Sequence, residues 1–149
     1  MEYAKPDELS DFPVVIQLPV QWGDQDALGH VNNTVYFRWF ESARIAYLEH
    51  MELGDKRSPD GLGPILAAID CNYRRQLKYP DTVLVAAEVS RIGRTSMTMR
   101  YKVWSTSQQA VAADGQSTVV VFDYGANKPH PVPDSMRRLI EQLEGKSLA

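Results

Sequence analysis

The sequence predicts an α+β domain in which an antiparallel sheet wraps around one long central helix. Two observations predict it. From Thr34 to Met51 the chain has no Gly or Pro and repeats apolar residues at Tyr36, Phe40, Ala43 and Tyr47, with Val35, Trp39 and Ala46 beside them. That is the spacing of an amphipathic helix. One strand-like run precedes this helix and four follow it in succession, an order that segregates strands from helix and calls for antiparallel pairing.

The first run, Val14 to Gln21, puts Val14, Ile16, Leu18 and Val20 on one face. Pro13 and Pro19 cannot donate to a ladder, so this strand belongs at a sheet edge or carries a bulge. The helix is expected to be capped by Asn32 or Asn33 and to end at Gly54, with His50 near its C-terminus complementing the dipole. Lys56 to Gly63 reads as a polar loop. Ile65 to Tyr73 is then a mostly apolar strand. Thr82 to Arg91 alternates with Val83, Val85, Ala87 and Val89 on one face, and Thr95 to Thr106 with Met97, Met99, Tyr101 and Val103. Arg91-Ile92-Gly93-Arg94 suits a hairpin connection between these two. In the last run, Ala110 to Tyr124, Asp114-Gly115 reads either as a hairpin turn or as a glycine bulge in one long strand. After three prolines, Asp134-Ser135-Met136 is positioned to cap a short helix with Met136, Leu139, Ile140 and Leu143 on its apolar face.

At 149 residues and 44% hydrophobic, the chain suits a single domain over residues 1–149 with a substantial core. A formal net charge of -3 argues against nucleic acid, and no apolar run reaches membrane-spanning length. Cys71 is the only cysteine, so no intrachain disulfide forms. With no apolar signal segment at the N-terminus, the expected location is cytoplasmic, and Asn32-Asn33-Thr34 is a chance glycosylation match.

Chemistry concentrates in Gln21-Trp22-Gly23-Asp24-Gln25-Asp26-Ala27-Leu28-Gly29-His30-Val31-Asn32-Asn33, where two acids, a histidine and two asparagines run directly into the helix. A helix N-terminus offers unpaired N–H groups and the positive end of the dipole, a seat for developing negative charge. Other chemistries fit less well. Leu28 falls where a calcium loop needs an oxygen donor. Asp24, Asp26 and His30 lack a further ligand at metal-binding spacing. Ser42 and Ser96 lack the Gly-x-Ser-x-Gly setting, and Cys71 reads as a small core residue. Asp24 is expected to satisfy loop donors.

The stretch from Trp22 to Asn33, followed by Tyr36 and Phe40-Glu41-Ser42-Ala43-Arg44, resembles the signature of hotdog-fold acyl-CoA thioesterases of the 4-hydroxybenzoyl-CoA thioesterase type. Gly63-Pro64-Ile65, the turn from Arg91 to Ser96, Gly115 and Pro133-Asp134 are similar to later features of that family. The resemblance implies a hotdog fold and hydrolysis of an acyl-CoA to a free acid and CoA without metal or organic cofactor. It implies that Asp26 is the catalytic carboxylate, as nucleophile or general base, and that the Asn33 backbone N–H receives the oxyanion. His30 has either a catalytic role or a structural one at the Gly29 turn, and Asn32 holds the loop and lines the pocket. Tyr36, Gly63, Pro64, Ile65, Arg91, Arg94 and Ser96 would contact substrate, with Arg74, Arg75 and Lys78 a second basic patch for phosphates. Trp39, Phe40, Tyr47, Met97 and Met99 line the acyl slot or fill the core. In the family such a site is built across two subunits, so a homodimer or a dimer of dimers is expected, as the free edges of an antiparallel sheet independently suggest. A non-catalytic acyl-CoA or acyl-carrier binding module and an enoyl hydratase or dehydratase are the competing readings.

Overall fold

A computed structural model describes residues 3–51 and 61–148. Its elements run β1 (Val14–Val20), α1 (Asn33–Leu48), β2 (Leu62–Ile69), β3 (Asn72–Tyr73), β4 (Asp81–Ile92), β5 (Ser96–Ser105), β6 (Ala110–Asp123), β7 (Lys128–Pro129) and α2 (Asp134–Glu144). The main sheet has the order β1-β4-β5-β6-β2, with β3 and β7 both pairing to β6. Every pairing is antiparallel. β1 lies at an edge, as its prolines require.

The period-2 pattern decides which face meets the helix. Val83, Val85, Ala87 and Val89 of β4 and Met97, Met99, Tyr101 and Val103 of β5 are buried in one cluster with Val35, Tyr36, Trp39, Phe40, Ala43 and Tyr47 of α1. Phe40 stacks on Tyr101 with ring centroids 4.8 Å apart. The opposite face is closed differently. Leu84, Ala86 and Trp104 are covered by Leu9 and Phe12 of the segment before β1. Lys102 pins that segment by donating to the Glu8 carbonyl at 3.1 Å.

Five local expectations are revised. The α-helix ends at Leu48 and passes into a 3-10 turn at Glu49–Met51. Gly54 and the stretch 56–60 of the expected loop lie outside the described residues. The run expected as one strand from Ile65 to Tyr73 is split, because β2 begins at Leu62, shifts register between Leu66 and Ala68, and gives way to the separate β3. Asp114-Gly115 is neither a turn nor a bulge. It sits in regular register opposite Lys102 and Tyr101, and the shift falls instead at Ala112, between the pairs Val103–Ala113 and Trp104–Val111. Glycine is required at 115 for close approach, since a Cβ there would meet the Asp70 carbonyl oxygen at 2.2 Å and Phe40 Cε2 at 2.9 Å. Finally, Pro133 rather than the Asp134 side chain occupies the N-cap of α2, and Leu139 is 41% exposed while Met136 and Ile140 are buried.

Candidate active site

The loop before α1 is shaped by its own acids. Asp24 is buried, and its carboxylate accepts the Gln21 N–H at 2.8 Å, with Arg38 at 3.7 Å on the other oxygen. This is the donor-satisfying role its Asx-turn chemistry suggests. Asp26 ties the loop shut through its backbone, donating to the His30 carbonyl at 2.8 Å while its own carbonyl accepts the Gly29 N–H at 3.1 Å. Gly29 has φ +80°, a left-handed conformation that a glycine adopts without penalty. The Asp26 carboxylate accepts the Leu28 N–H at 2.8 Å and is exposed in the single chain.

Asn32 caps α1, its side-chain oxygen accepting the Thr34 N–H at 3.0 Å and the Thr34 hydroxyl at 3.1 Å. Its side chain is therefore committed to the helix end. Asn33 is the first helical residue, so its N–H has no intrahelical acceptor. It takes none elsewhere among the described residues. That amide is the free donor at the positive end of the dipole.

Beside it lies a pocket of about 260 Å³ whose lining includes His30, Val31, Asn33, Tyr36, Tyr73 and Leu77. A bond from the Val31 N–H to the Leu77 carbonyl at 2.8 Å brings its two walls together. The rings of Tyr36 and Tyr73 meet edge to face at 5.0 Å. Burial pushes the Tyr36 phenol up to about 12 and raises that of Tyr73, while the neighbouring Cys71 thiol is pushed up to about 11, again mainly by burial. These groups are neutral at physiological pH, and a thiol held protonated is a poor nucleophile.

Of the expected site residues, Asn33, His30, Tyr36, Arg74 and Arg75 line this pocket; Asp26 and Asn32 do not, although the Asp26 N–H is bonded to the carbonyl of the pocket residue His30. Trp39, Phe40, Tyr47, Met97 and Met99 are core residues. Gly63, Pro64 and Ile65 lie on β2, and Ile65 and Ser96 both pair with Val120 of β6. Arg91 and Arg94 are exposed at the β4–β5 turn, next to Ser96. Tyr73, on the pocket, pairs with Ala113 of β6, seven residues from Val120, which is roughly 24 Å along a strand. One chain thus holds the expected residues in two groups at opposite ends of its sheet. Tyr73, Gln76 and Leu77 were not singled out from the sequence as pocket lining. An aromatic residue beside a basic, non-periodic segment was the available signal, and its nearness to Asn33 is a tertiary fact.

Among the described residues, no group of three or more His, Cys, Asp or Glu side chains is arranged to hold a metal ion. No helix among them is long and apolar enough to cross a membrane.

The family model described as the thioesterase-like superfamily matches residues 20–140. A crystal structure of a thioesterase from Thermus thermophilus, complexed with coenzyme A and Zn, superposes with a TM-score of 0.80 at 31% identity, covering 91% of this chain and 98% of that one. The long-chain acyl-CoA thioesterase FadM of Escherichia coli (strain K12) is 24% identical over 127 residues, 85% of this chain and 96% of its own length. The uncharacterized protein YsmA of Bacillus subtilis (strain 168) is 25% identical over 92 residues, 62% of this chain, and the matched region spans 61% of its length.

Proposed function

The chain belongs to the thioesterase-like superfamily, and from that membership we propose that it hydrolyses an acyl-CoA to a free carboxylic acid and coenzyme A, with Asp26 as the acting carboxylate and the Asn33 N–H as oxyanion donor. Its fold is the hotdog fold and its activity that of a thioester hydrolase. The observation that supports the finer reading is the unpaired amide of Asn33, the first residue of α1, on the lining of a pocket, with the carboxylate of Asp26 in the loop that leads into that helix.

In the proposed reaction the thioester carbonyl oxygen points at the Asn33 N–H, where charge develops as the tetrahedral intermediate forms. With Asp26 as general base, its carboxylate takes a proton from the water whose oxygen bonds to the carbonyl carbon. Collapse breaks the C–S bond, and the departing thiolate regains a proton. With Asp26 as nucleophile, its oxygen bonds to the carbonyl carbon instead, and water then hydrolyses the resulting anhydride. A single turnover in ¹⁸O-water separates the routes, because attack of water on the aspartyl carbonyl of the anhydride labels Asp26. The rival hydratase reading needs a histidine paired with an acid, and His30 makes no such ion pair among the described residues.

A second copy completes the proposed site. Gly63 to Ile65, Arg91, Arg94 and Ser96 are too far from Asn33 to serve the same thioester within one chain, so they would meet the coenzyme bound at the partner's loop. β2 supports such pairing, since it is an edge strand of the main sheet whose Leu66, Ala67 and Ala68 are exposed.

The test is Asp26→Asn. An amide oxygen can still accept the Leu28 N–H, so the turn persists while the charge is lost. Loss of base catalysis costs about 10²- to 10⁴-fold in kcat. Equal turnover by both proteins on an acyl-CoA panel would reject Asp26.

A further inference from the structure

Arg44 lies between α1 and the sheet, its side chain only 9% exposed. Its guanidinium is poorly matched there. Nη1 donates to the Tyr101 hydroxyl at a long 3.4 Å, and that hydroxyl is already joined to the Ser117 hydroxyl at 2.6 Å. Among the described residues the only carboxylate within reach is Glu41, one turn back on α1, 4.0 Å from Nη2 and itself 59% exposed. Water, more than the arginine, holds that acid. A guanidinium has five N–H donors, and a charge taken out of water is costly unless a close anion meets it. The thioester proposed at Asn33 is not that anion's site, since eleven residues of helix, roughly 16 Å of rise, separate it from Arg44 in one chain.

α1 packs on β1, β4 and β5, whereas β2 lies at the other edge of the main sheet. Leu66 of β2 pairs with the buried Val119 and so shares its helix-side face, yet it is 42% exposed. Ile69, close by on the same strand, pairs with Ser117, which places the Arg44, Tyr101 and Ser117 group level with this end of the edge. An identical strand that pairs antiparallel along β2 does so about a twofold axis normal to the sheet. Such an axis keeps both copies of α1 on one side of the joined sheet, running antiparallel, with Leu66 covered between them. A twofold interface must also complement itself. An exposed acid and an under-paired base one turn apart on the same helix meet that condition.

We infer that Arg44 is paired with Glu41 of the partner subunit, and that the two residues form reciprocal ion pairs between the helices of two copies of this chain. The inference rests on the second copy proposed above and names the contact that fixes how its helix sits.

Charge reversal tests it. Sedimentation equilibrium is measured on the full chain, on Glu41→Arg, on Arg44→Glu, and on an equimolar mixture of the two variants. The parent self-associates. Each variant alone sets like charges against each other and weakens self-association about a hundredfold or more in Kd, while the mixture forms a heterodimer in which both pairs are restored. A mixture as dissociated as its components overturns the inference, because a pair made within one chain cannot be repaired by mixing. Should the buried Arg44→Glu change prevent folding, Glu41→Arg and Glu41→Gln carry the test, since Glu41 is exposed in the single chain. Both then weaken self-association, the reversal more than the neutral change. Parent-like self-association by both overturns the inference and leaves the second-copy reading standing. A parent that stays monomeric sinks both.

Discussion

The hydroxyl of Tyr47, on the inner face of α1, donates to the Glu144 carboxylate at 2.6 Å. The same carboxylate oxygen accepts the Val89 N–H of β4 at 2.9 Å. One acid at the end of α2 thus fastens three elements that are far apart in sequence. Burial, and then this bond, raise the Tyr47 phenol well above its ordinary value, so it stays a donor at any physiological pH.

Tyr47→Phe removes that donor and leaves the ring. A hydrogen bond to a charged group contributes about 1.5–3 kcal/mol, so the thermal midpoint should fall by several degrees for a domain of this size. Scanning calorimetry of the two proteins decides it, and coincident transitions would show that the bond adds nothing.

Asn33→Pro isolates the oxyanion donor. Proline is favoured at the first helical position, and Asn32 already has φ -64° and ψ 143°, the extended backbone a following proline needs. The helix should therefore persist while the amide hydrogen disappears. The expected loss is about 10²- to 10³-fold in kcat with little change in helix content by circular dichroism. Full activity in a folded Asn33→Pro protein would place the oxyanion elsewhere.

Asp114 gives a pH signature. Its hydrogen bonds from Arg74 hold its carboxyl below the ordinary value of 3.8. A depressed acid stabilises the fold above its unfolded pKa, and that contribution is lost as pH falls through the lower, folded value. Asp114→Asn should therefore unfold at lower urea than the parent at neutral pH, with the gap closing in acid. Urea midpoints from roughly pH 6 to pH 2 measure it, and a gap independent of pH across this range around the ordinary carboxylate value would refute the linkage.

Much of the scaffold was readable from the chain because its signals are periodic. The alternation of Val83, Val85, Ala87 and Val89 matches a pleat with one buried face, and the Tyr36, Phe40, Ala43, Tyr47 spacing matches a helix with one buried stripe. Asp114-Gly115 misled because a local turn signal was outweighed by pairing to β5 on one side and β3 on the other. Leu139 misled because α2 has a narrower buried stripe than its apolar residues suggest. The donor-satisfying role of Asp24 and the start of α1 at Asn32-Asn33 were readable, since caps and turns are local chemistry, and the structure gives the cap to Asn32. The wall formed by Tyr73 and Leu77 was not, because it meets the loop only through the Val31–Leu77 bond. Nor could the sequence reveal that Ile65 and Ser96 share a row roughly 24 Å from that wall, which is a matter of strand register.

The segment over the back of the sheet gives the molecule a built-in optical probe. Its three tryptophans occupy unlike settings: Trp22 is 73% exposed, Trp39 is buried on the inner face of α1, and Trp104 is sealed beneath Leu9 and Phe12. With phenylalanine at 22 and 39, the emission maximum would belong to Trp104 alone, and its red shift would signal detachment of the leading segment before the rest of the domain gives way.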